Sequence, residues 1–594
     1  MSRIIGIDLG TSNSCVAVME NGEAKVVSNS EGDRLTPSVV SFTRTGGRIV
    51  GITAKRQAVL NPTRTFHSVK RLLGRRWDED EVQELIKILP YPTLRAENGD
   101  VRVGDASEAW ATEQLLAMVL EKLRSDAEGV LGEEVKQAVI TVPANYNDLQ
   151  RTATRTAAQI AGLEVVRLVN EPTAAALAYG YSRRKVGVFA VYDLGAGTFD
   201  ITVLSSQQGA LAFQVRATGG AHRLGGDDID ALLAGLLGER FEKTHGFKLG
   251  DDPATRQRVL TAAEEAKKAL SNVEATRVTL PFIGTGPQGP VHLETELFRS
   301  ELEQLMRPLV DRTLEVCSSV LKDAGYEPRE VDEVLLVGGQ TRAPVVKRAV
   351  ANFFGREPTR GVEPDEAVAM GAALMGSLSE TDVLDHVVAD VCPLSLGVET
   401  AGGLMTPLIP RNTPIPTRAT KTFTTTADNQ MMIRVNVYQG ERQRASDNLL
   451  LGVLDLVGIA PAPRGRAQLE IAFSMDTEGI LHIEAKDQMT QRARSVRVSA
   501  RGGLSAGELD RMIAKAEAER ERDEQFRALQ ARRNAAIQTI YQAQRVMRET
   551  EGLEEPHRQR IRMALDDLQR ACDTAQTVVT IQEAHQALLD TLRG

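Results

Sequence analysis

The pattern of apolar and polar positions changes twice along the chain, which predicts three differently built regions. Up to about residue 380, short apolar runs typical of buried strands, such as 138–143 and 333–339, alternate with amphipathic stretches typical of helices, such as 261–270 and 298–321. Strands that alternate with long helices are typical of an α/β architecture. We therefore predict that the first region is an α/β domain.

Apolar side chains recur at every second position between residues 391 and 502. The segments 433–438 and 469–475 show this alternation, and turn-forming residues at 476–479 end the second run. A period of two places successive side chains on opposite faces of a strand. We predict an antiparallel β-sandwich for this region.

The period becomes helical after residue 503. Ile561, Leu565, Leu568 and Cys572 are spaced by 4, 3 and 4 residues, which aligns them on one face of a helix. A small helical bundle is expected here. The predicted order of segments is residues 1–384, a linker at 385–390, residues 391–502 and residues 503–594.

Composition excludes some classes of protein. A chain of 594 residues is too long for one hydrophobic core, and the net charge of −9 provides no basic surface for nucleic acid or an anionic membrane. The four cysteines include no Cys-x-x-Cys pair, which argues against disulfides and zinc and favours a reducing compartment. The first strand should begin by Ile4, which leaves no room for a signal peptide, and there is no membrane-spanning run, so we expect a cytoplasmic protein.

One short motif occurs twice and suggests the chemistry. An apolar strand runs into Asp-Leu-Gly ending at Gly10, then into small or hydroxyl-bearing residues and a second apolar strand, and the same order recurs around Gly195. Glycine at these positions should permit a positive φ and a close approach of backbone N–H groups to an anion. Asp8 and Asp193 end the first strand of each copy, where a carboxylate can hold Mg²⁺ through water. Two such turns could clamp a polyphosphate from opposite sides, which points to ATP.

A third glycine-rich turn, at 338–342, also follows an apolar strand and supports a nucleotide site. Phosphoryl transfer further needs positive charge at the phosphates and a positioned water, for which Lys70, Glu171 and Thr198 are candidates. From spacing alone, a solvated surface charge is the better explanation of Lys70. Glu171 is equally explained as a charge at a helix start, and Thr198 as a turn residue. These three assignments need more than the local pattern.

Five segments supply a resemblance that covers essentially the whole chain in order. They are Asp-Leu-Gly-Thr-Ser-Asn-Ser at 8–14, Asn-Glu-Pro-Thr-Ala-Ala-Ala-Leu-Ala-Tyr-Gly at 170–180, Asp-Leu-Gly-Ala-Gly-Thr-Phe-Asp at 193–200, Leu-Val-Gly-Gly-Gln-Thr-Arg at 336–342 and Pro-Leu-Ser-Leu-Gly-Val-Glu-Thr at 393–400. Together they resemble the DnaK-type heat-shock chaperone family, in its bacterial form. The resemblance implies a multidomain α/β + β + α protein with a two-lobed, actin-like ATPase domain, a β-sandwich peptide-binding domain and a C-terminal helical lid.

The resemblance also implies a nucleotide site with Mg²⁺ and K⁺. Lys70 matches the family's catalytic lysine, Glu171 its water- and metal-organising acid, Thr198 a threonine beside the γ-phosphate, and Asp8 and Asp193 the carboxylates around the metal ions. The implied phosphate contacts are Gly10, Thr11, Ser12 and Asn13 on one side and Gly195, Ala196, Gly197 and Thr198 on the other. The implied adenosine contacts are Glu264, Lys267, Lys268, Ser271, Gly338, Gly339, Arg342 and Asp365.

For the remaining domains the resemblance implies a peptide groove and contacts between domains. The groove positions are Val398, Thr400, Ala401, Phe423, Thr424, Thr426, Ile433 and Val435, which on their own would be ordinary sandwich core. The interdomain positions are Pro143, Arg151, Arg167 and Asp390, and Asn147 with Asp148 falls on the surface used by J-domain partners. The implied partners of this monomer are unfolded polypeptide clients, a J-domain co-chaperone and, from segment 269–283, a GrpE-type nucleotide exchange factor. Neither nucleic acid nor a membrane is expected as a partner.

Three departures from the family pattern stand out. The second phosphate turn has Ala196 where glycine is usual, and a Cβ at positive φ costs about 1 kcal/mol or more, although the first turn carries Thr11 at the equivalent place. The arch over a bound peptide lacks its large residue, since Ala401 stands there with Thr426 opposite. The linker, usually leucine-rich, reads His-Val-Val-Ala at 386–389.

Two other functions remain open at this stage. An actin-like sugar kinase would share the two hairpins, but residues 391–594 would then have no role. A holdase or exchange-factor-like paralogue with little turnover is the non-enzymatic alternative. Lys70, Glu171 and Thr198 argue against that alternative, whereas Ala196 and the linker composition keep it open. The clients, and whether the protein is a housekeeping or a specialised chaperone, cannot be derived from the sequence.

Overall fold

The computed structural model describes most of the chain. The described residues are 3–378 with gaps at 44–45, 184–185, 207–212, 288 and 360–362; 390–497 with gaps at 401–402, 426–427, 458, 460, 464–465, 467, 478 and 488–492; 508–512; and most of 532–547 and 555–593. The predicted linker up to residue 389, together with Ala401 and Thr426, lies outside them. Two compact units result, residues 1–41 with 49–509 and residues 42–48 with 510–594. None of the described helices combines the length and apolarity needed to cross a lipid bilayer.

The first sheet is built around the first Asp-Leu-Gly hairpin. Its order is Glu164–Asn170, Gln137–Val142, Ile4–Asp8, Asn13–Glu20 and Glu23–Val26, with Thr36–Pro37 added to Asn13–Glu20. Ile4–Asp8 pairs parallel with Gln137–Val142 and antiparallel with Asn13–Glu20, so that Asp8 lies opposite Cys15. The hairpin turn therefore lies at the carboxyl end of the parallel strands.

A second sheet repeats this arrangement around the second hairpin. Its order is Phe213–His222, Thr198–Ser206, Gly187–Leu194 and Glu333–Val337. Gly187–Leu194 again has an antiparallel partner, Thr198–Ser206, and a parallel one, Glu333–Val337. We call residues 3–41 and 49–183 with helix Ala367–Ser377 the first lobe and residues 187–354 the second lobe. The predicted repeat is thus a repeat of topology, with one hairpin in each lobe.

Smaller strands and the helices surround these sheets. The other strands of this region are Val40–Phe42, Arg48–Val50, Thr65–Phe66, Thr93–Arg95, Val101–Asp105, Glu108–Ala111, Ala275–Gly286 and Gly289–Phe298. The α-helices are Ile52–Gln57, Asp80–Ile86, Thr112–Leu131, Asp148–Ile160, Glu171–Arg183, Gly226–His245, Pro253–Leu270, Arg299–Ala324, Pro344–Phe354 and Ala367–Ser377. Short 3₁₀ helices are Pro62–Arg64, Val69–Leu72, Pro328–Glu330 and Gly339–Arg342.

Helix Ala367–Ser377 packs on the first sheet with backbone against backbone. A Cβ at Gly6 would overlap the backbone of Ala373, and a Cβ at Gly371 would overlap the carbonyl oxygen of Ala174. Glycine at these two positions is therefore required by close approach. The helix, the strand that ends at Asp8 and the helix that begins at Glu171 are held together without intervening side chains.

The described part of the antiparallel sandwich predicted for residues 391–502 ends at residue 497 and consists of two antiparallel sheets. One sheet has the order Leu404–Ile409, Leu396–Thr400, Met432–Gln439 and Leu449–Val457, and the other Thr417–Thr424, Gln468–Met475, Leu481–Asp487 and Ala493–Arg497, with a 3₁₀ turn at Ala445–Asp447. Buried residues from both sheets, among them Val398, Val437 and Phe473, form one core. The alternating pattern seen in the sequence therefore marks the inward faces of these strands.

In the second unit, helices Glu555–Thr574 and Val578–Arg593 pack against each other. Ile561, Leu565, Leu568 and Cys572 are buried in their core together with Leu588, as the helical spacing predicted. The division into two units does not test the boundaries predicted at 384, 390 and 502, which stay predictions.

Candidate functional site

Both hairpin turns open onto one cavity of about 770 Å³ between the two lobes. Every nucleotide-site residue predicted from the sequence lines this cavity except Gly197. The lining includes Asp8, Gly10, Thr11, Ser12, Asn13, Lys70, Glu171, Asp193, Gly195, Ala196, Thr198, Glu264, Lys267, Lys268, Ser271, Gly338, Gly339, Arg342 and Asp365. Residues scattered over more than 350 positions thus converge on a space large enough for a drug-sized ligand.

The prediction that the hairpin glycines need a positive φ is wrong. None of the four turn residues Gly10, Gly195, Ala196 and Gly197 has a positive φ. The backbone strain expected at Ala196 therefore does not arise. Close approach is the reason for glycine instead. A Cβ at Gly10 would overlap the carbonyl oxygen of Asn13, and one at Gly197 would lie 3.0 Å from Thr11 Oγ1.

The two equivalent glycines therefore differ in their tolerance of a side chain. We expect Gly10→Ala to lower the free energy of unfolding of the ligand-free protein by about 1–3 kcal/mol, because the added methyl has no space. Gly195→Ala is the matched control, since the nearest atom to its Cβ is Thr198 O at 3.8 Å. Thermal unfolding of both variants without nucleotide measures the difference, and equal melting temperatures would contradict the argument.

Three carboxylates line the phosphate end of the cavity, and a fourth, Asp200, is buried behind them. Asp8 and Asp193 end the two hairpin strands, Glu171 begins a helix, and Asp200 lies opposite Asp193 in the second hairpin. Burial, followed by repulsion from Glu171, raises the pKa of Asp8 to about 7 and that of Asp200 to about 8, and raises the pKa of Asp193 as well.

This acidic cluster suits a hard divalent cation with retained water ligands. Oxygen donors are what Mg²⁺ prefers, and a cation would relieve the mutual repulsion of the carboxylates. Among the described residues, no three acidic, His or Cys side chains converge into a direct metal site. Asp8 and Asp193 as metal-organising residues therefore stay a prediction.

Lys70 faces this cluster as a buried ammonium group. Its Nζ donates to Glu171 Oε1 at 2.7 Å, and the two side chains are only 4% and 11% exposed. Burial alone would lower the pKa of Lys70, but the Glu171 carboxylate raises it above its usual range. The explanation of Lys70 as a solvated surface charge is therefore wrong.

A backbone distortion precedes Lys70. Ser68 has a φ of +55°, which is uncommon for a residue with a side chain, and the 3₁₀ turn Val69–Leu72 follows it directly. The Ser68 hydroxyl donates to Asp227 Oδ2 of the second lobe at 2.7 Å. The distorted turn thus places Lys70 toward Glu171 and ties the two lobes together beside it.

The other end of the cavity has the residues predicted for adenosine. Lys267 Nζ donates to Asp230 Oδ2 at 2.8 Å and to Gly226 O at 2.9 Å, and Glu264 accepts from Lys55 Nζ of the first lobe at 2.8 Å. On the opposite wall, Arg342 Nη2 donates to Asp365 Oδ2 at 2.6 Å. The flat guanidinium group of Arg342 on one wall and the aliphatic part of the Lys267 side chain on the facing wall suit the planar base of adenosine.

Sequence reasoning missed several residues of this site. Asp227 and Asp230 line the cavity, and Asp227 also accepts from Ser12 Oγ at 3.3 Å. A signal was present, since Gly-Gly-Asp-Asp at 225–228 follows an apolar strand and begins a helix. A Cβ at Gly225 would overlap Ala196 O, so glycine at this position is required for the helix to approach the second hairpin turn.

The predicted peptide-groove residues fall into two groups in the sandwich. Val398 and Val435 are buried in its core, whereas Phe423 and Ile433 are half-buried at the edge of that core. Thr400 is also half-buried, and its hydroxyl lies 2.9 Å from that of Thr406, whereas Thr424 is exposed. The structure does not test a peptide-binding role for any of them.

Two of the four predicted interdomain residues, Arg151 and Asp390, are connected by hydrogen bonds through Asn170. Arg151 Nη2 donates to Asn170 Oδ1 at 2.7 Å, and Asn170 Nδ2 donates to Asp390 Oδ2 at 2.7 Å. Burial lowers the pKa of Arg151 and raises that of Asp390. Asn170, which the sequence did not single out as an interdomain residue, is thus the link between them. Of the other two predicted residues, Pro143 is buried directly after the strand Gln137–Val142, and Arg167 Nη1 contacts Met375 Sδ at 3.6 Å.

Polar contacts also join the sandwich to both lobes. Asn412, held at a φ of +61°, accepts from Thr218 N at 3.2 Å, and Arg411 pairs with Asp323 at 2.8 Å. In the first lobe the Asp148 N–H donates to Gln439 Oε1 at 3.3 Å, and burial raises the pKa of Asp148 to about 6. Asn147 caps the helix that begins at Asp148, and its Oδ1 accepts from Gln150 N at 3.0 Å. This surface therefore lies beside the sandwich, and its use by a J-domain stays a prediction.

The family model described as "Hsp70 protein" matches residues 4–593, which is almost the whole chain.

Proposed function

Because the chain belongs to the Hsp70 family, whose members are ATP-dependent chaperones and ATPases, we propose that it is a DnaK-type chaperone that couples ATP hydrolysis to the binding and release of extended apolar segments. Members of the family bind ATP or ADP with Mg²⁺ and act on unfolded clients together with co-chaperones. The finer assignments concern this chain's own residues. They comprise the nucleotide contacts, the peptide groove and the coupling between them.

The observation that carries the proposal is the direct contact between the sandwich and the nucleotide lobes. Asp390, the last residue of the predicted linker and directly before the sandwich, accepts from Asn170, and Asn170 ends a strand of the first sheet next to Glu171. A change at the cavity that moves Glu171 would therefore also change the Asn170–Asp390 contact. Coupling between two ligand sites requires an element that both sites influence, and this contact supplies one.

At the phosphates, the residues would act by position and charge. Mg²⁺, when bound, would neutralise phosphate charge and lower the barrier to phosphoryl transfer. Asp8, Asp193 and Glu171 would hold its water ligands. Lys70 would stabilise the charge that develops on the transferred group, and Thr198 would hydrogen-bond the γ-phosphate from the second lobe.

In the proposed cycle, ATP favours the arrangement in which the sandwich contacts the lobes and its groove is open, and hydrolysis releases the sandwich and closes the groove over a client. We further propose K⁺ as a second ion, a J-domain partner at Asn147 and Asp148, a GrpE-type exchange factor, and a monomer acting in the bacterial cytosol. A groove that pairs with a peptide backbone and has one apolar pocket would accept many unfolded chains.

A peptide-release measurement tests the function. The complex of the ADP-bound protein with a fluorescent apolar peptide is mixed rapidly with Mg-ATP, Mg-ADP or buffer. We expect fast release with ATP alone, together with steady-state hydrolysis that the peptide stimulates. Hydrolysis without any peptide binding would instead favour a kinase-like activity, which added sugars would stimulate. Peptide binding that is indifferent to ATP would favour a holdase.

A further inference from the structure

A second, smaller cavity lies behind the phosphate end of the nucleotide cavity. It has a volume of about 30 Å³ and shares Thr11, Lys70 and Thr198 with the larger cavity. Arg71 and Arg75 of the first lobe and Arg223 of the second lobe also line it, so we call it the basic cavity. Its inner end is therefore at the residues proposed to surround the γ-phosphate, and nothing in the proposed function uses its outer part.

Guanidinium groups in the basic cavity have unused hydrogen-bonding capacity. The Arg71 side chain is only 4% exposed. Its Nη2 donates to Asp228 Oδ1 at 2.8 Å, but its Nη1 is buried and has no hydrogen-bond partner among the described residues, with Asp227 Oδ2 at 3.8 Å. Arg223 Nε is likewise buried without such a partner. Buried donors of this kind are normally satisfied, so an oxyanion within reach of either guanidinium would supply an acceptor that the described residues do not.

The cavity wall next to the nucleotide is thin. A Cβ at Gly197 would lie 3.0 Å from Arg71 Cγ and 3.0 Å from Thr11 Oγ1. Gly197 is the one predicted phosphate-site residue that lines the basic cavity and not the larger one. The lack of a side chain at Gly197 therefore keeps the nucleotide site and the arginines in direct proximity.

The outer end of the cavity is closed by an ion pair. Glu81 is the only carboxylate in the cavity lining and is 47% exposed, and it pairs with Arg75, whose side chain is 10% exposed. His222 also lines the cavity. Burial, followed by repulsion from Arg75, lowers the pKa of His222 to about 4, so that the imidazole is neutral at physiological pH. The surroundings thus favour an anion over a further cation.

We propose that the basic cavity receives the inorganic phosphate set free by hydrolysis, and that the Arg75–Glu81 pair closes its exit to solvent. This inference rests on the proposed function, since it needs ATP to be hydrolysed at the larger cavity. A space of about 30 Å³ accommodates roughly two waters. Phosphate is larger, so its entry requires Arg75 and Glu81 to separate. Phosphate departure then has its own barrier, separate from nucleotide exchange through the larger cavity.

The first experiment measures phosphate binding to the protein saturated with ADP, using labelled inorganic phosphate and equilibrium dialysis. We expect Arg223→Gln to weaken phosphate binding about tenfold, the effect of one lost charge-assisted hydrogen bond. Arg223→Lys should recover most of the affinity. Arg348→Gln is the matched control, because Arg348 is an exposed arginine paired with Glu303 elsewhere on the second lobe. Equal phosphate affinity in wild type and Arg223→Gln would overturn the proposal.

The second experiment separates hydrolysis from phosphate release in a single turnover. Quenched samples measure cleavage of labelled ATP, and a fluorescent phosphate sensor measures release. We expect Glu81→Gln to accelerate release about threefold, the effect of a lost partly exposed ion pair, with cleavage unchanged. Unchanged release would overturn the role of the ion pair. Absence of cleavage in the wild type would instead contradict the proposed function, and the binding experiment would still test the cavity.

Discussion

Replacing Lys70 by alanine should slow ATP hydrolysis about 100-fold or more and leave the affinity for Mg-ATP within a few-fold of the wild type. Loss of one preorganised charged donor at a reacting group typically has an effect of this size on the chemical step. Lys70 is buried at the phosphate end of the cavity, and its Nζ lies 2.7 Å from Glu171 Oε1. Single-turnover cleavage with saturating enzyme measures the chemical step, and a fluorescent nucleotide measures binding.

This variant needs a check on folding, because it leaves Glu171 buried without its cation. Breaking a buried ion pair costs about 3–5 kcal/mol, so the melting temperature of Lys70→Ala should fall. The double variant Lys70→Ala/Glu171→Gln removes both charges and should recover stability without recovering hydrolysis. Lys25→Ala, at an exposed lysine paired with Glu20, is the control for loss of a lysine. Cleavage at the wild-type rate in a folded Lys70→Ala protein would remove Lys70 from the mechanism.

Asn170→Ala should uncouple the two ligand sites. We expect ATP-triggered peptide release to slow about tenfold, while peptide affinity in the ADP state is unchanged. The substitution removes two charge-assisted hydrogen bonds. The bond from Arg151 lies within the first lobe, and the bond to Asp390 joins the residue that precedes the sandwich to the first sheet. Stopped-flow release of a fluorescent peptide after mixing with ATP measures the effect.

The matched control for this prediction is Asn98→Ala. Asn98 is an exposed asparagine of the first lobe that donates to Asp100 at 2.8 Å. Its removal should leave release unchanged. A wild-type release rate in Asn170→Ala would show that the sandwich is coupled through its other contacts, such as the Arg411–Asp323 pair. Arg411→Gln would then be the variant that slows release.

The sequence predicted the elements better than the contacts between them. The apolar runs at 138–143 and 333–339 become the strands Gln137–Val142 and Glu333–Val337, because a continuous apolar run is typical of a strand buried on both faces. The hairpin turns were located correctly, but the reason given for their glycines was not. Close approach between Gly10 and Asn13 is a property of the folded turn, and sequence spacing does not distinguish it from a positive φ.

Residues whose role depends on both lobes could not be predicted in this way. Asp227 contacts Ser68, which is 159 positions away in the chain, and Asn170 contacts Asp390 across 220 positions. The basic cavity likewise exists only because Arg71 of the first lobe and Arg223 of the second lobe line the same space. Local periodicity reports which face of an element is buried, but not which distant element covers it. The family resemblance supplied the positions of the nucleotide residues. Only the structure showed that Asn170 connects Arg151 to Asp390 and that arginines line the basic cavity.

Helix Ala367–Ser377 begins two residues after Asp365 at the adenosine wall and ends a few residues before the predicted linker. Its eleven residues span about 16 Å, and backbone contacts at Gly6 and Gly371 leave no side chains that could absorb a displacement by changing rotamer. We therefore expect the helix to move as a rigid body when nucleotide binds. Spin labels near the two ends of the helix should report the same rotation when nucleotide binds. Replacing Gly6 or Gly371 by a larger residue should reduce this rotation at a stage where nucleotide affinity is still retained.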